Sequence, residues 1–419
     1  MGLIKSGLLF AFLGIILSGC QSQIFSSPVI NHAASTPTIA ASNPAANDPL
    51  PSQTSTPIPY IAASETPSGY IIPTLQPTSV ISTSEAATSL LGPYVFPTNV
   101  NPLTGLVVND PSILNRRPVM IKVANFPRYG RPHAGLSYAD LVFEYYIGEE
   151  TNRFLAVYYS QDAPKIGPVR SGRLIDPQLV NMFGGLLVYG NADPQVDGII
   201  LKMLGDRALS FNNLPCPVMC GTATHSVAGV FANSGAVTQY ATKTDVSNDR
   251  QDLQGLVFNS KPPATSQTAT MIGVQYSYLD RGEWHYDPTS GKYLRWIESG
   301  DGTKNGIPME PLVDRLNGQQ LAFSNVIIAF ATYIEYAPTL HDIEIWKNTH
   351  GQRAVLFRDG EMIEGTWRTE QYDHPMHFYD QMGIPMALKP GTTWVVIAGT
   401  HSTLEQPSPG HWEMQFHMP

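Results

Sequence analysis

Residues 165–173 read K-I-G-P-V-R-S-G-R, with three cations in nine positions and two glycines and a proline to fix the turns. Arg170 and Arg173 are three apart, so one helical turn would put both guanidiniums on one side. A guanidinium grips phosphate or carboxylate through a planar fork. Gly167 and Gly172 would let main-chain N–H groups approach a ligand, and the N-terminus of a following helix would add positive potential. The opposing expectation is that these arginines pair internally with Asp140, Glu144, Asp162 or Asp176 and only hold the fold. Ser171 has no G-x-S-x-G elbow around it and no adjacent base. The candidate ligand-binding residues are Arg153, Lys165, Arg170, Ser171 and Arg173. No catalytic residue, metal ligand or cofactor is assigned.

Other constellations carry less. Cys216 and Cys220 lie in P-C-P-V-M-C-G, followed by His225. In an oxidising compartment two nearby cysteines are most simply a disulfide, and an i,i+4 pair on a helical turn would sit about 6 Å apart at Cα. Free thiols, or a metal site completed by His225, are the alternatives, although C-x3-C-x4-H lacks a fourth ligand. D-H-P-M-H (373–377) offers His374 and His377 at i,i+3, which reads as solvated loop histidine. N-A-D-P-Q-V-D (191–197) reads as a helix cap. Trp284, Tyr293, Trp296, Trp367 and Trp394 suit either the core of a β domain or a carbohydrate-stacking face, and core is the commoner fate.

The chain opens with one early cation, Lys5, an apolar run from Leu8 to Leu17, and then L-S-G-C. That is the pattern of a secretory signal over residues 1–19. The cysteine directly after L-S-G resembles a bacterial lipobox, which implies diacylglyceryl attachment at Cys20 and cleavage before it. Palmitate is one of the acyl chains such an anchor can carry. Residues 20–92 are rich in Ser, Thr, Pro and Ala, with Asp48, Glu65 and Glu85 but no Lys or Arg before the folded part. With few large apolar side chains to offset ordering entropy, this segment reads as a disordered spacer. Twenty-five Lys and Arg stand against 34 Asp and Glu, a net charge of −9, so the whole-molecule field does not invite nucleic acid.

Composition shifts near Asn101. Val119–Ala124, Asp140–Ile147, Arg153–Ser160 and Leu186–Gly190 have strand character, the middle two reading as a hairpin. Asp176-Pro177 and Val196–Leu204 read as helices, and Ser137 as the cap of a short one. After a connector near 261–270, dense β signals run to Ala398. The expected class is α+β: a mixed α/β sandwich over 93–262, a mainly antiparallel β domain over 268–403, and a C-terminal tail over 404–419.

R-R-P-V-M-I-K-V-A-N, R-P-H-A-G-L-S-Y-A-D-L-V-F-E, N-R-F-L-A-V-Y and K-I-G-P-V-R-S-G-R follow, in order and spacing, the pattern of the YerB-like bacterial lipoproteins, which the chain resembles from about Asn101 to Trp394. That family has two successive domains of unknown function. The resemblance implies an extracytoplasmic, membrane-anchored lipoprotein. Around His225 the family's H-N-L-Y-like string is replaced by T-H-S-V-A-G-V-F. The expected role is a cell-envelope binding module for an anionic or glycan ligand or a protein partner. Two alternatives remain. A-D-L-V followed by P-V-R-S-G-R is similar to the aspartate-then-arginine order of LytR–CpsA–Psr transferases. This would imply a metal-dependent glycan phosphotransferase, with Asp140 and Asp176 on metal and Arg153, Arg170 and Arg173 on a polyprenyl pyrophosphate. The other is a ligand-free scaffold.

Overall fold

Val119–Ala124 holds five apolar residues and one lysine, and all six are buried. A strand covered on both faces reads as such a near-continuous apolar run. In the computed structural model, which describes residues 90–221, 228–262, 264, 267–346, 348–369 and 371–419, this strand lies between Thr151–Tyr158, antiparallel, and Leu186–Tyr189, parallel. Cys20, the signal segment, nearly all of the spacer and His225 lie outside the described residues.

Leu141–Gly148 and Thr151–Tyr158 form a hairpin. Glu149 and Glu150, at φ 50° and 60°, make its turn, the left-handed pair that matches strand twist. Gly148 precedes them at φ 100°, and a Cβ there would fall 2.1 Å from the carbonyl oxygen of Pro338.

On its other edge Leu141–Gly148 runs parallel to Thr393–Gly399, which in turn runs parallel to Asn325–Ala337. Gln352–Arg358, Glu361–Arg368 and His377–Asp380 extend the sheet on that side, and Ala208–Ser210 ends it on the other. One 11-stranded sheet thus passes through both halves of the chain. The expected two-part organisation fits, with a mainly β composition, and strands of both parts share this one sheet where a separate mixed α/β sandwich was expected. The three described α-helices are Asp176–Met182, Pro194–Leu204 and Ser234–Lys243. The alternation read as α/β comes from two helices that cover only one end of this sheet.

A second, seven-stranded sheet includes Ala269–Gln275, Arg281–Asp287 and Lys292–Glu298. Residues 404–419, expected as a tail, supply it instead with Thr403–Ser408 and Gly410–Gln415; the latter pairs in parallel with Ala269–Gln275. Pro407 is tolerated because its strand is the edge.

The two sheets meet over Trp394, whose ring packs against Phe154, Trp284 and Phe323 at 5.0, 5.9 and 5.0 Å between centroids. Arg295 stacks on Trp284 at 4.0 Å and pairs with Glu144 at 3.2 Å. Glu144 also accepts from the Trp394 indole and the Asn152 amide, each at 2.7 Å. Trp284, Tyr293, Trp367 and Trp394 are fully buried, which places them in the core and leaves them unable to stack on a sugar. Asp314 reaches across to accept from the Gly135 and Ser137 amides at 2.9 Å. The short turn Leu136–Tyr138 is therefore capped by a distant carboxylate and not by Ser137.

Candidate functional site

Paired residues of neighbouring strands point to one face of a sheet. Tyr145 is opposite Arg153, and Arg153 is opposite Ala124, two residues from Lys122. Tyr145, Arg153 and Lys122 therefore share the face covered by the helix Asp176–Met182. Lys122 Nζ lies 3.1 Å from Asp176 Oδ1. The Tyr145 hydroxyl bonds both the lysine and the same carboxylate oxygen. The second oxygen, Oδ2, accepts from the Arg173 amide at 2.7 Å. Burial pushes the Lys122 ammonium down to about 7, against the opposing pull of Asp176 and with Arg153 and Arg173 adding to the effect. Lys122, Tyr145 and Asp176 are fully buried, so they form a floor that no solute touches.

The stretch 165–173 crosses this floor in extended form. Its amides are spent on neighbouring chain: Ile166 on Ala232, Gly167 on Ala134, Val169 on Val230, Arg170 on Lys122 and Gly172 on Asn191. The expected cradle of glycine N–H groups is therefore absent, because both glycines donate to carbonyls at 3.1 and 2.8 Å. The expected helical turn is also absent: the helix begins only at Asp176 and its first turn already holds that carboxylate.

The guanidiniums nevertheless converge. Arg153 donates to the Ser171 carbonyl at 2.9 Å, Arg173 to the Gly172 carbonyl at 2.9 Å, and Arg170 to the Phe126 carbonyl at 3.4 Å. Burial pushes the Arg153 pKa well down, and the charges of Arg173 and Arg170 push further. Burial likewise lowers Arg170 and Arg173, the latter partly offset by Asp176. The Nε atoms of Arg170 and Arg173 are buried with no hydrogen-bond partner.

Each acid expected as an internal partner serves another group. Asp140 accepts from Asn101, Ser160 and the Tyr159 amide, and Glu144 pairs with Arg295. Asp162 pairs with Arg116 and Asp176 with Lys122. Among the described residues no carboxylate forms an ion pair with Arg153, Arg170 or Arg173.

Lys165 stands apart. It is exposed, its ammonium 4.3 Å over the Phe231 ring, and it shares no contact with the three arginines. Ser171 contributes its carbonyl to Arg153. The metal role expected of Asp140 and Asp176 is corrected, since both carboxylates are buried and saturated by internal donors. Among the described residues no group of three or more His, Cys, Asp or Glu gathers as for a metal. His374 sits between Asp252 and Asp373, while His377 is buried beside Tyr379. Cys216 and Cys220 are joined by a disulfide with Cα atoms 4.8 Å apart, in a turn and not a helix. Lys122 and Tyr145 were not foreseen as part of the site. The available signal was a single cation inside the strand V-M-I-K-V-A.

Models of the protein family of unknown function DUF3048 match the chain twice, its N-terminal domain over residues 103–247 and its C-terminal domain over 272–395. "Putative lipoprotein YerB" of Bacillus subtilis (strain 168) is 28% identical over 306 residues, covering 71% of this chain and 85% of that protein. The crystal structure of YerB from Bacillus subtilis superposes with a TM-score of 0.58 at 23% identity, covering 71% of this chain and 96% of that one, which shows a shared fold. Among the described residues no helix is long and apolar enough to cross a membrane. With both domains present in order along one shared fold, the chain belongs to the DUF3048 family of YerB-like proteins.

Proposed function

We propose that this protein is a lipid-anchored binding module on the outer side of the membrane, and that Arg153, Arg170 and Arg173 hold an anionic group such as a phosphate of an envelope glycan. The anchor reading rests on the L-S-G-C pattern at Cys20 and on the lipoprotein name of the relative. The anion reading rests on one observation: three partly desolvated guanidiniums converge while every nearby acid serves another donor. Charge-assisted bonds to such a cluster contribute about 1.5–3 kcal/mol each.

Calorimetric titration with inorganic pyrophosphate tests it. Arg170→Ala and Arg173→Ala should each weaken binding about tenfold or more with little change in thermal midpoint. Equal binding by wild type and variants overturns the reading. A fall in midpoint with no pyrophosphate binding by the wild type replaces it with a scaffold role.

A further inference from the structure

A groove of about 750 Å³ lies between the helices Asp176–Met182 and Pro194–Leu204 and the hairpin of Asn325–Ala337 with Leu340–Glu344. It takes Gln195, Ile199 and Met203 from the first family domain and Tyr336, Trp346 and Tyr372 from the second. Its volume falls in the range of small-molecule sites, which favour such junctions. Among the described lining residues there is no Lys or Arg, so it is chemically distinct from the arginine cluster and does not rest on the anion reading.

The lining divides into three kinds of surface. Tyr336 and Tyr372 are 60% and 65% exposed, high for large aromatic side chains in a concave site. Trp346 stands 5.0 Å from Tyr372, and its indole N–H donates to the Gln178 carbonyl at 3.2 Å. The indole is thereby fixed while its ring stays partly open. Gln178 is itself held by Asp342 at 2.9 Å and by the Ile345 amide. Flat, preset rings offer stacking area at little entropic cost. Beside them Ile199, Met203 and Leu340 give an aliphatic patch, and Gln195 with the carboxylates of Asp342 and Glu344 gives a polar rim.

We propose that this groove binds an oligosaccharide containing N-acetylhexosamine. A pyranose ring offers an apolar C–H face to tyrosine and tryptophan. Its acetamido methyl suits the Ile199–Met203–Leu340 patch, and its hydroxyl and amide groups suit the polar rim. A free acyl chain would use the aliphatic patch and leave the polar rim unanswered. An anionic ligand would find no cation among the described lining residues.

The full chain is titrated by calorimetry with the trimer of N-acetylglucosamine and with the trimer of glucose in the same linkage. The acetylated trimer should bind, and the glucose trimer should bind about tenfold more weakly. Tyr336→Ala and Tyr372→Ala, both at exposed positions, should each cut the affinity about tenfold without moving the thermal midpoint. Arg170→Ala should leave this binding unchanged while affecting pyrophosphate, so the two sites fail or stand separately. No binding of the acetylated trimer at millimolar concentration, equal binding of both trimers, or full affinity in the tyrosine variants would each overturn the proposal.

Discussion

Lys122 Nζ and Asp176 Oδ1 face each other at 3.1 Å with both side chains shut off from water. An ion pair in that setting is weak evidence for stability, yet removing one partner leaves a charge stranded. Asp176→Asn should therefore cost about 3–5 kcal/mol in urea unfolding, since its single remaining oxygen can serve either Lys122 and Tyr145 or the Arg173 amide but not both.

The lysine carries a pH signature. Its folded value is about 7, while in the unfolded chain it keeps an ordinary value of about 10.4. Between the two, the unfolded chain holds more protons than the folded one, so stability rises with pH across that window. Unfolding free energy should climb from about pH 7 to about pH 9 in the wild type and stay flatter in Lys122→Met. An equal climb in the variant would assign the effect to another group.

Asp280 has the opposite dependence. Burial first, then the charges of Glu298 and Glu144, raise its carboxyl well above the ordinary range, against Arg131 and the Asn152 amide. A raised folded value means its contribution is fully present below about pH 4 and is lost as pH rises through the folded value. Asp280→Asn keeps the uncharged state and can still accept from the Asn152 amide. Its thermal midpoint should fall less than that of the wild type between about pH 5 and about pH 8. Parallel falls would remove this carboxyl from the account.

The last strand can be tested by deletion. Gly410–Gln415 buries Trp412 and Met414, Phe416 follows, and Glu413 binds Arg281. A chain ending at His401 loses these side chains, whose burial contributes about 1.5–3 kcal/mol each, and exposes the edge of Ala269–Gln275 to other chains. It should aggregate or melt far below the full chain. An unchanged midpoint would make residues 404–419 a dispensable tail after all.

The proposed anchor makes its own prediction. Cys20→Ala should lose incorporated labelled fatty acid and shift the protein from the membrane pellet to the soluble fraction. Retention in the pellet with no label would require another means of attachment.

The strands were the most legible feature, because their signal is local. Val119–Ala124 and Leu186–Tyr189 lie where their apolar runs put them. The helix Ser234–Lys243 was invisible, since S-G-A-V-T-Q-Y-A-T-K is rich in weak helix formers. Strand partners were invisible for another reason: nothing near Glu144 announces Trp394, 250 positions away. In the candidate site, residue types named the arginines, but the acids expected to pair with them serve other donors, most of them far away in sequence. Which acid pairs with which base is decided by tertiary contacts and not by spacing in the sequence.

Because Leu141–Gly148 lies beside Thr393–Gly399, the central ladder cannot close until nearly the whole polypeptide has left the ribosome. Until then the earlier strands wait with an open edge, and a pairing over such separation forms slowly. The topology that unites the two halves thereby places closure of the sheet late in the synthesis of the chain.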